Sequence, residues 1–470
     1  MPDALSGYAL SRLIFERSLA LMYLIAFVCA ANQFVPLLGE HGLLPVSRFV
    51  RQVPFEATPS LFYLAPTDRA FRIAAWLGVA ISVGLVAGVL QRTALIAAIA
   101  WATLWLLYLS FVNVGQIFYG FGWESLLLET GFFAIFLGAS TTAPSLFLIG
   151  IWRWVLFRDM FGAGLIKLRG DPCWRDLTCL NYYFETQPIP NALSWYFHWL
   201  PTGVHRAGVA FNHFAELVVP FAYFAPQPVA GIAGLITIAF QGSLILSGNL
   251  SWLNWMTIVL CIPTLDDRWF SWLPLSSSAI QMPPIVQRFS IYAVTLLVAV
   301  LSVRPIVNML STRQLMNFSF NPLHLVNTYG AFGSITRTRN EIVIEGTGDA
   351  MLTPSTVWRE YEFKGKPGNP SQRPRQIAPY HLRLDWLMWF AAMSSPEEHR
   401  WFPPLMAKLL EGDSTTLALL RTNPFPDRPP HYLRALYYRY RFTTPDEHRR
   451  DGSWWKRELI GAYMGPVALK

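Results

Sequence analysis

Apolar runs close to the roughly 20 residues needed to cross a bilayer recur along the N-terminal part of the chain, at 18–38, 70–90, 93–112, 207–225, 229–248 and 286–303. These predict six membrane-spanning helices. Three more segments are interrupted: 117–139 holds Glu124 and Glu129, 145–167 holds Arg153, Arg158 and Asp159, and 252–265 is short. The expected count is therefore six to nine helices. Gly84 and Gly88 form a small-xxx-small pair of the kind that lets a neighbouring helix approach, and Trp252, Trp255, Trp269 and Trp272 cluster at span ends as interfacial anchors would. The connections 39–69 and 168–206 are long enough to carry function.

After Arg304 the pattern changes to alternation. Ile342 and Ile344 oppose Val343 and Glu345, Tyr361 and Phe363 oppose Glu360 and Glu362, and Leu436, Tyr438, Tyr440 and Phe442 oppose Tyr437, Arg439 and Arg441. A period of two predicts half-buried strands. Gly365 to Pro379 reads as a loop, and Leu384 to Met393 as an apolar helix or interfacial segment. The predicted fold is a mainly α polytopic membrane protein, residues 1–309, followed by a β-rich water-facing domain, 310–470, with one or two helices.

Composition agrees: 53% of residues are hydrophobic and 14% charged, against the roughly 25% charged of soluble domains. The first 309 residues carry 16 Lys/Arg and 14 Asp/Glu, and the last 161 carry 21 and 15. The net charge of +8 is scattered, which favours a basic face near anionic lipid and argues against a nucleic-acid partner. The first apolar run is too long for a signal-peptide core, so it is expected to be a retained span.

Candidate chemistry lies among buried polar groups. Glu124 and Glu129 need partners or a water-filled cavity at membrane depth, and Arg153 and Arg158 on the next helix are the expected partners. Five residues apart on a helix, the two carboxylates point about 140° away from each other, so they are not an acid/base pair. They hold two helices together or line a polar cavity. His213 and Glu216 are i and i+3, with Asn212 adjoining, a layout that suits proton transfer or mutual satisfaction of two buried groups. Cys173 and Cys179 are the only close cysteine pair, since Cys29 and Cys261 sit in apolar runs. Their spacing can close a disulfide in an oxidising compartment, leave free thiols, or bind metal with His198 or His205; it matches no zinc pattern and is not a dithiol C-x-x-C motif. Nucleotide-binding and common hydrolase motifs are absent. No metal and no cofactor are expected.

YGFGWESLLLETGFFAIFL (119–137), FGAGLIKLRGDPCWRDLTCLNYYFETQPIPN (161–191), FNHFAELVVPF (211–221) and FQGSLILSGNLSWLNWMTIVLCIPTLDD (240–267) closely resemble the lipase maturation factor family. The resemblance continues into 326–347 and 417–442. It implies a polytopic protein that in animals sits in the endoplasmic reticulum membrane and helps secreted lipases fold. The membrane helices are also distantly similar to those of vitamin K-dependent carboxylase-like proteins. The family offers no agreed catalytic residues to carry over. Matching positions are Gly170, Asp171, Cys173, Trp174, Arg175, Asp176 and Cys179, then Glu185, Thr186, Gln187 and Pro188, as a client-contact or redox-sensitive loop.

The 31 Arg against 6 Lys point to a GC-rich bacterial host, where the corresponding place is the inner membrane with the C-terminal domain outside. With nine spans and a cytoplasmic N-terminus, loop 168–206 and the C-terminal domain both lie outside, as the resemblance implies. The positive-inside rule opposes this, because Arg48, Arg51, Arg69, Lys167, Arg169 and Arg175 then lie outside against Arg12, Arg17, Arg92 and Arg268 inside. The expected role is a membrane-anchored folding factor that contacts membrane lipids and a secreted client, with Trp195, Tyr196, Trp199, Trp454 and Trp455 supplying aromatic contact surface. The alternative is a membrane-embedded enzyme for a lipid-soluble or lipid-attached substrate, using Glu124, Glu129, Arg153, Lys167, His213 and Glu216.

Overall fold

The computed structural model describes residues 7–274 and 281–469. Among the described residues nine helical passes run between two ends of a bundle: α1 (Ala9–Leu38), α2 (Asp68–Ala87), α3 (Ala94–Val114), α4 (Gly122–Ala134), α5 (Leu146–Arg169), α6 (Thr202–His213 and its continuation to Phe224), α7 (Val229–Ser247), α8 (Leu253–Cys261) and α9 (Ile285–Leu301), which α10 (Val303–Leu310) extends. Among the described residues five helices are long and apolar enough to cross a membrane: α1, α2, α3, α7 and the α9–α10 pair.

The expected span at 207–225 is corrected. The α-helix stops at His213, widens into a π turn over Phe214–Val218 and tightens into a 3-10 turn over Val219–Phe224. Pro220 explains the break, because it has no N–H to give the carbonyl of Glu216 and its ring crowds that carbonyl. Gly84 and Gly88 are not a helix-docking pair. Gly88 caps the C-terminus of α2 at a φ of 81°, with the Arg17 guanidinium packed against it. Trp252 is not an interfacial anchor either: it is fully buried and donates to the carbonyl of Trp123 at 3.1 Å, whereas Trp272 is exposed.

Hydrogen bonds sort the connections into two ends. At one end the amides of Ala9 and Leu10 donate to Asp267 at 2.9 and 2.8 Å, Ser140 to the carbonyl of Gln91 at 2.9 Å, and Gln227 to the carbonyl of Thr264 at 2.6 Å. At the other end Asn113 bridges the carbonyls of Pro59 and Pro322 at 2.9 and 3.0 Å, Asn249 reaches the carbonyl of Arg375 at 2.8 Å, and Gln33 that of His381 at 2.6 Å. Loops 39–69 and 168–206 therefore share one side of the bundle with the C-terminal domain.

That domain is built on a four-stranded antiparallel sheet in the order β2-β1-β5-β6: β1 Arg339–Thr347, β2 Arg359–Glu360, β5 Tyr432–Phe442 and β6 Trp455–Val467. β1 and β5 pair from Arg339 opposite Tyr440 to Thr347 opposite Tyr432. A second pair joins β3 (Glu362–Phe363) to β4 (Leu420–Thr422), so the alternating run at 360–363 is divided between two sheets. β1 is not half-buried. Glu341 through Thr347 are all buried, because α11 (Arg383–Ala391) covers the strand. α11 fills the expected apolar helix, and α12 (Phe402–Leu410) and α13 (Pro445–Asp451) complete the domain.

Candidate functional site

Most partners of the buried charges are ones that the sequence pattern does not reveal. Glu129 pairs with Arg158, as expected, and also accepts from the amide and side chain of Asn327, each at 2.9 Å, and from the Tyr329 hydroxyl at 2.7 Å. The chain beyond α10 thus returns into the helices and satisfies the remaining lone pairs of a buried carboxylate. Glu124 is not paired with Arg153. It accepts from Arg383 of the C-terminal domain at 2.8 Å and from the Tyr108 hydroxyl, with His381 at 3.8 Å. Arg153 instead donates to the carbonyl of Pro263 at 3.0 Å and to Tyr8 at 2.9 Å.

His213 and Glu216 do not meet. The π turn carries Glu216 towards α5, where Lys167 donates to it at 2.5 Å, while Asn212 bonds both Glu216 (2.6 Å) and Lys167 (2.9 Å). His213 faces the carbonyl of Trp174 at 3.0 Å. Gly164 makes this approach possible: a Cβ there would lie 2.6 Å from Leu217 Cδ2 and 3.0 Å from Glu216 Cβ. Lys167 also sits 4.9 Å from the centre of the Trp174 ring, a cation–π contact.

Lys167, Trp174, Asn212 and Glu216 line a cavity of about 800 Å³ between the bundle and the C-terminal domain. Asp159, Lys167 and Glu216 from α5 and the π turn form its polar part with Asn254 and Thr257 of α8 and Gln241 of α7. Trp386, Trp389, Phe390 and Met393, in and just after α11, form an apolar wall. Thr257 donates to Asp159 at 2.7 Å and Asn254 to Gln241 at 2.6 Å. Neither Glu124 nor Glu129 lines the cavity. Gln241, Asn254 and Thr257 interrupt apolar runs, and that was the available signal for this site.

In loop 168–206, Cys173 and Cys179 are joined by a disulfide and buried. Asp171 caps the short helix Pro172–Arg175 by accepting from the amide of Cys173 at 2.9 Å, and it pairs with Arg337 at 2.7 Å. That hydrogen-bonded guanidinium holds the Asp171 carboxyl below the usual carboxylate range. Several residues taken as client contacts are occupied within the fold. Trp174 donates to the carbonyl of Phe332 at 2.8 Å, the carbonyl of Thr186 accepts from Trp389 at 3.0 Å, and Gln187 donates to the carbonyl of Ser247 at 2.8 Å. All three are buried, and Glu185 accepts from the amide of Phe442 at 2.7 Å. Arg175 and Asp176 are exposed. Of the aromatic contacts expected, Trp195 and Trp455 are buried, with Trp195 donating to the carbonyl of Thr443 at 2.8 Å; Tyr196 and Trp199 are exposed. Among the described residues no cluster of His, Cys, Asp or Glu has the arrangement of a metal site.

Comparison with known proteins covers the membrane part and the C-terminal part separately. Residues 10–272 match the lipase maturation factor transmembrane domain, and residues 325–465 the lipase maturation factor C-terminal domain. The chain is 42% identical to lipase maturation factor 1 of Mus musculus and of Homo sapiens, over 98% of its own length and 88% of theirs. It is 30% identical to lipase maturation factor 2 of Xenopus laevis, over 98% of its length and 83% of the relative's. No solved structure matches it significantly. With both domains matched along nearly the whole chain, the protein belongs to the lipase maturation factor family.

Proposed function

We propose that the chain is a membrane-anchored maturation factor for secreted, lipase-like client proteins, and that loop 168–206 and the C-terminal domain work outside the cytoplasm. The observation that carries this reading is identity of 42% with lipase maturation factor 1 across 98% of the chain and 88% of the relative. The Cys173–Cys179 disulfide supports the orientation, because disulfides persist in oxidising compartments. In a bacterial host that place is the outer face of the inner membrane, and in an animal cell the lumen of the endoplasmic reticulum. Arg175, Asp176, Tyr196 and Trp199 offer the client an exposed polar and aromatic face on loop 168–206. The test is co-expression with a secreted lipase in cells lacking their own maturation factor, reading secreted lipase activity per mass of lipase. Restored specific activity supports the reading. Unchanged specific activity with several lipases, at normal abundance of the chain, overturns it.

The cavity favours a second reading, an embedded enzyme acting on a lipid-soluble substrate, with Lys167 and Glu216 at its polar end. Under that reading Glu216→Gln abolishes a turnover while the protein accumulates normally; His213 is outside the cavity lining and takes no part.

A further inference from the structure

The cavity's volume, about 800 Å³, lies within the roughly 300–1,000 Å³ typical of small-molecule sites, and its lining specifies an occupant. Asp159 is 7% exposed and Asn254 3%. Among the described residues only one oxygen of Asp159, Oδ2, receives a hydrogen bond, from Thr257. The Asn254 side chain gives its N–H to Gln241, and its carbonyl oxygen receives nothing among the described residues. Two acceptors, each on a residue more than nine-tenths buried, thus stand in the lining of one cavity without a donor among the described residues, open to a donor that enters it.

The one ammonium in the lining cannot supply it. Lys167 is held by Glu216, by Asn212 and by the face of Trp174. Among the described lining residues Lys167 is the only ammonium or guanidinium, and Glu216 already neutralises it, so the polar end offers no free cation to a fatty-acid carboxylate or a phosphate head. The rest of the wall is apolar, and Ile117, Met316, Phe390 and Met393 carry that apolar surface out to exposed positions.

We infer that the cavity binds a neutral single-chain lipid whose head carries free hydroxyls, of the monoacylglycerol type. Its hydroxyls donate to Asp159 and Asn254, and its chain lies against α11 and the aromatic residues around it. This inference stands apart from the client reading and does not depend on it.

Trp174, Trp386 and Trp389 line the cavity, so a brominated chain bound there quenches their emission. The experiment titrates the full-length protein in detergent with a dibromostearoyl glycerol monoester, dibromostearic acid and a dibrominated stearylamine. The expected result is saturable quenching by the ester at concentrations about tenfold lower than for the acid or the amine, a difference of about 1.4 kcal/mol. Ala163→Phe, which fills the cavity, abolishes the saturable phase. Asp159→Ala and, independently, Asn254→Leu raise the half-saturation concentration by about tenfold, each being checked for a monodisperse, folded state; if one fails to fold, the other carries the test. Equal or tighter binding of the acid or the amine overturns the neutral hydroxyl head. Quenching that Ala163→Phe leaves unchanged is partition into detergent and overturns the site.

Discussion

Glu124, in the first turn of α4, and Arg383, 259 residues later at the start of α11, form an ion pair at 2.8 Å with both side chains fully buried. The Arg383 guanidinium also donates to the carbonyl of Phe118 at 2.7 Å and lies 3.4 Å from the centre of the Tyr119 ring. One ion pair therefore fastens the C-terminal domain to the helical bundle. Removing one member leaves an unpaired buried charge, which costs about 3–5 kcal/mol, whereas replacing both is far milder. Arg383→Met and Glu124→Gln are each expected to lower the melting temperature in detergent sharply, and the double variant to recover part of the loss. Single variants that melt like the wild type would mean that the pair does not hold the domains together.

Arg339, at the start of β1, makes a comparable fastening to loop 168–206. It donates to Glu341 at 2.6 Å, to the carbonyl of Glu185 at 2.9 Å and to that of Pro188 at 3.0 Å, while Lys366 lies 3.0 Å from the other Glu341 oxygen. Only a guanidinium reaches all of these at once, so Arg339→Lys should rescue little and Arg339→Met less. The expected outcome is a several-fold faster tryptic cleavage after the exposed Arg175. A cleavage rate equal to the wild type would show that the loop is held by other contacts.

Much of this architecture was legible because hydropathy and period are local properties. The runs at 18–38, 70–90, 93–112, 229–248 and 286–303 each became a long apolar helix, and the alternation around Leu436 to Phe442 fell within β5. Among the partners of buried charges Arg158 was legible for Glu129, since it lies on the next helix, but the distant ones were not: Glu124 meets Arg383 and Glu129 also meets Asn327 across about 200 residues or more. The i, i+3 arithmetic for His213 and Glu216 failed for a different reason. It assumes an α-helix, and Pro220 converts that turn to π geometry, which hands Glu216 to Lys167. Pro220 was the visible warning.

Sidedness is open to a direct measurement, because loop 168–206 and the C-terminal domain share one end of the bundle. Cys29 and Cys261 are buried free thiols and should stay silent towards a membrane-impermeant maleimide applied to intact cells. Labelling is expected only after reduction, and to vanish in Cys173→Ser/Cys179→Ser. Labelling that requires permeabilisation would place both elements in the cytoplasm, in line with the positive-inside rule.

Acid should loosen the same loop through His198. Its ring is mostly buried against Trp199 and Phe442, and burial, aided by the charge of His205, pushes its pKa down to about 4. The unfolded chain takes up this proton near pH 6.5, so between about 6.5 and 4 the unfolded state binds more protons than the folded one. Stability from a neutral His198 is therefore complete above pH 6.5 and is lost as pH falls to about 4, by about 3 kcal/mol at most. Glu185, 3.8 Å away, acts in the opposite sense, because burial raises its pKa and protonation relieves the cost of its charge. Comparing wild type with His198→Leu separates the two, since only the histidine contribution disappears. The wild type is expected to lose more stability than His198→Leu between pH 7 and pH 4.5, read as the shift in melting temperature across that range. Parallel pH profiles would mean that His198 does not change protonation on unfolding, and that the acid sensitivity of the loop lies elsewhere.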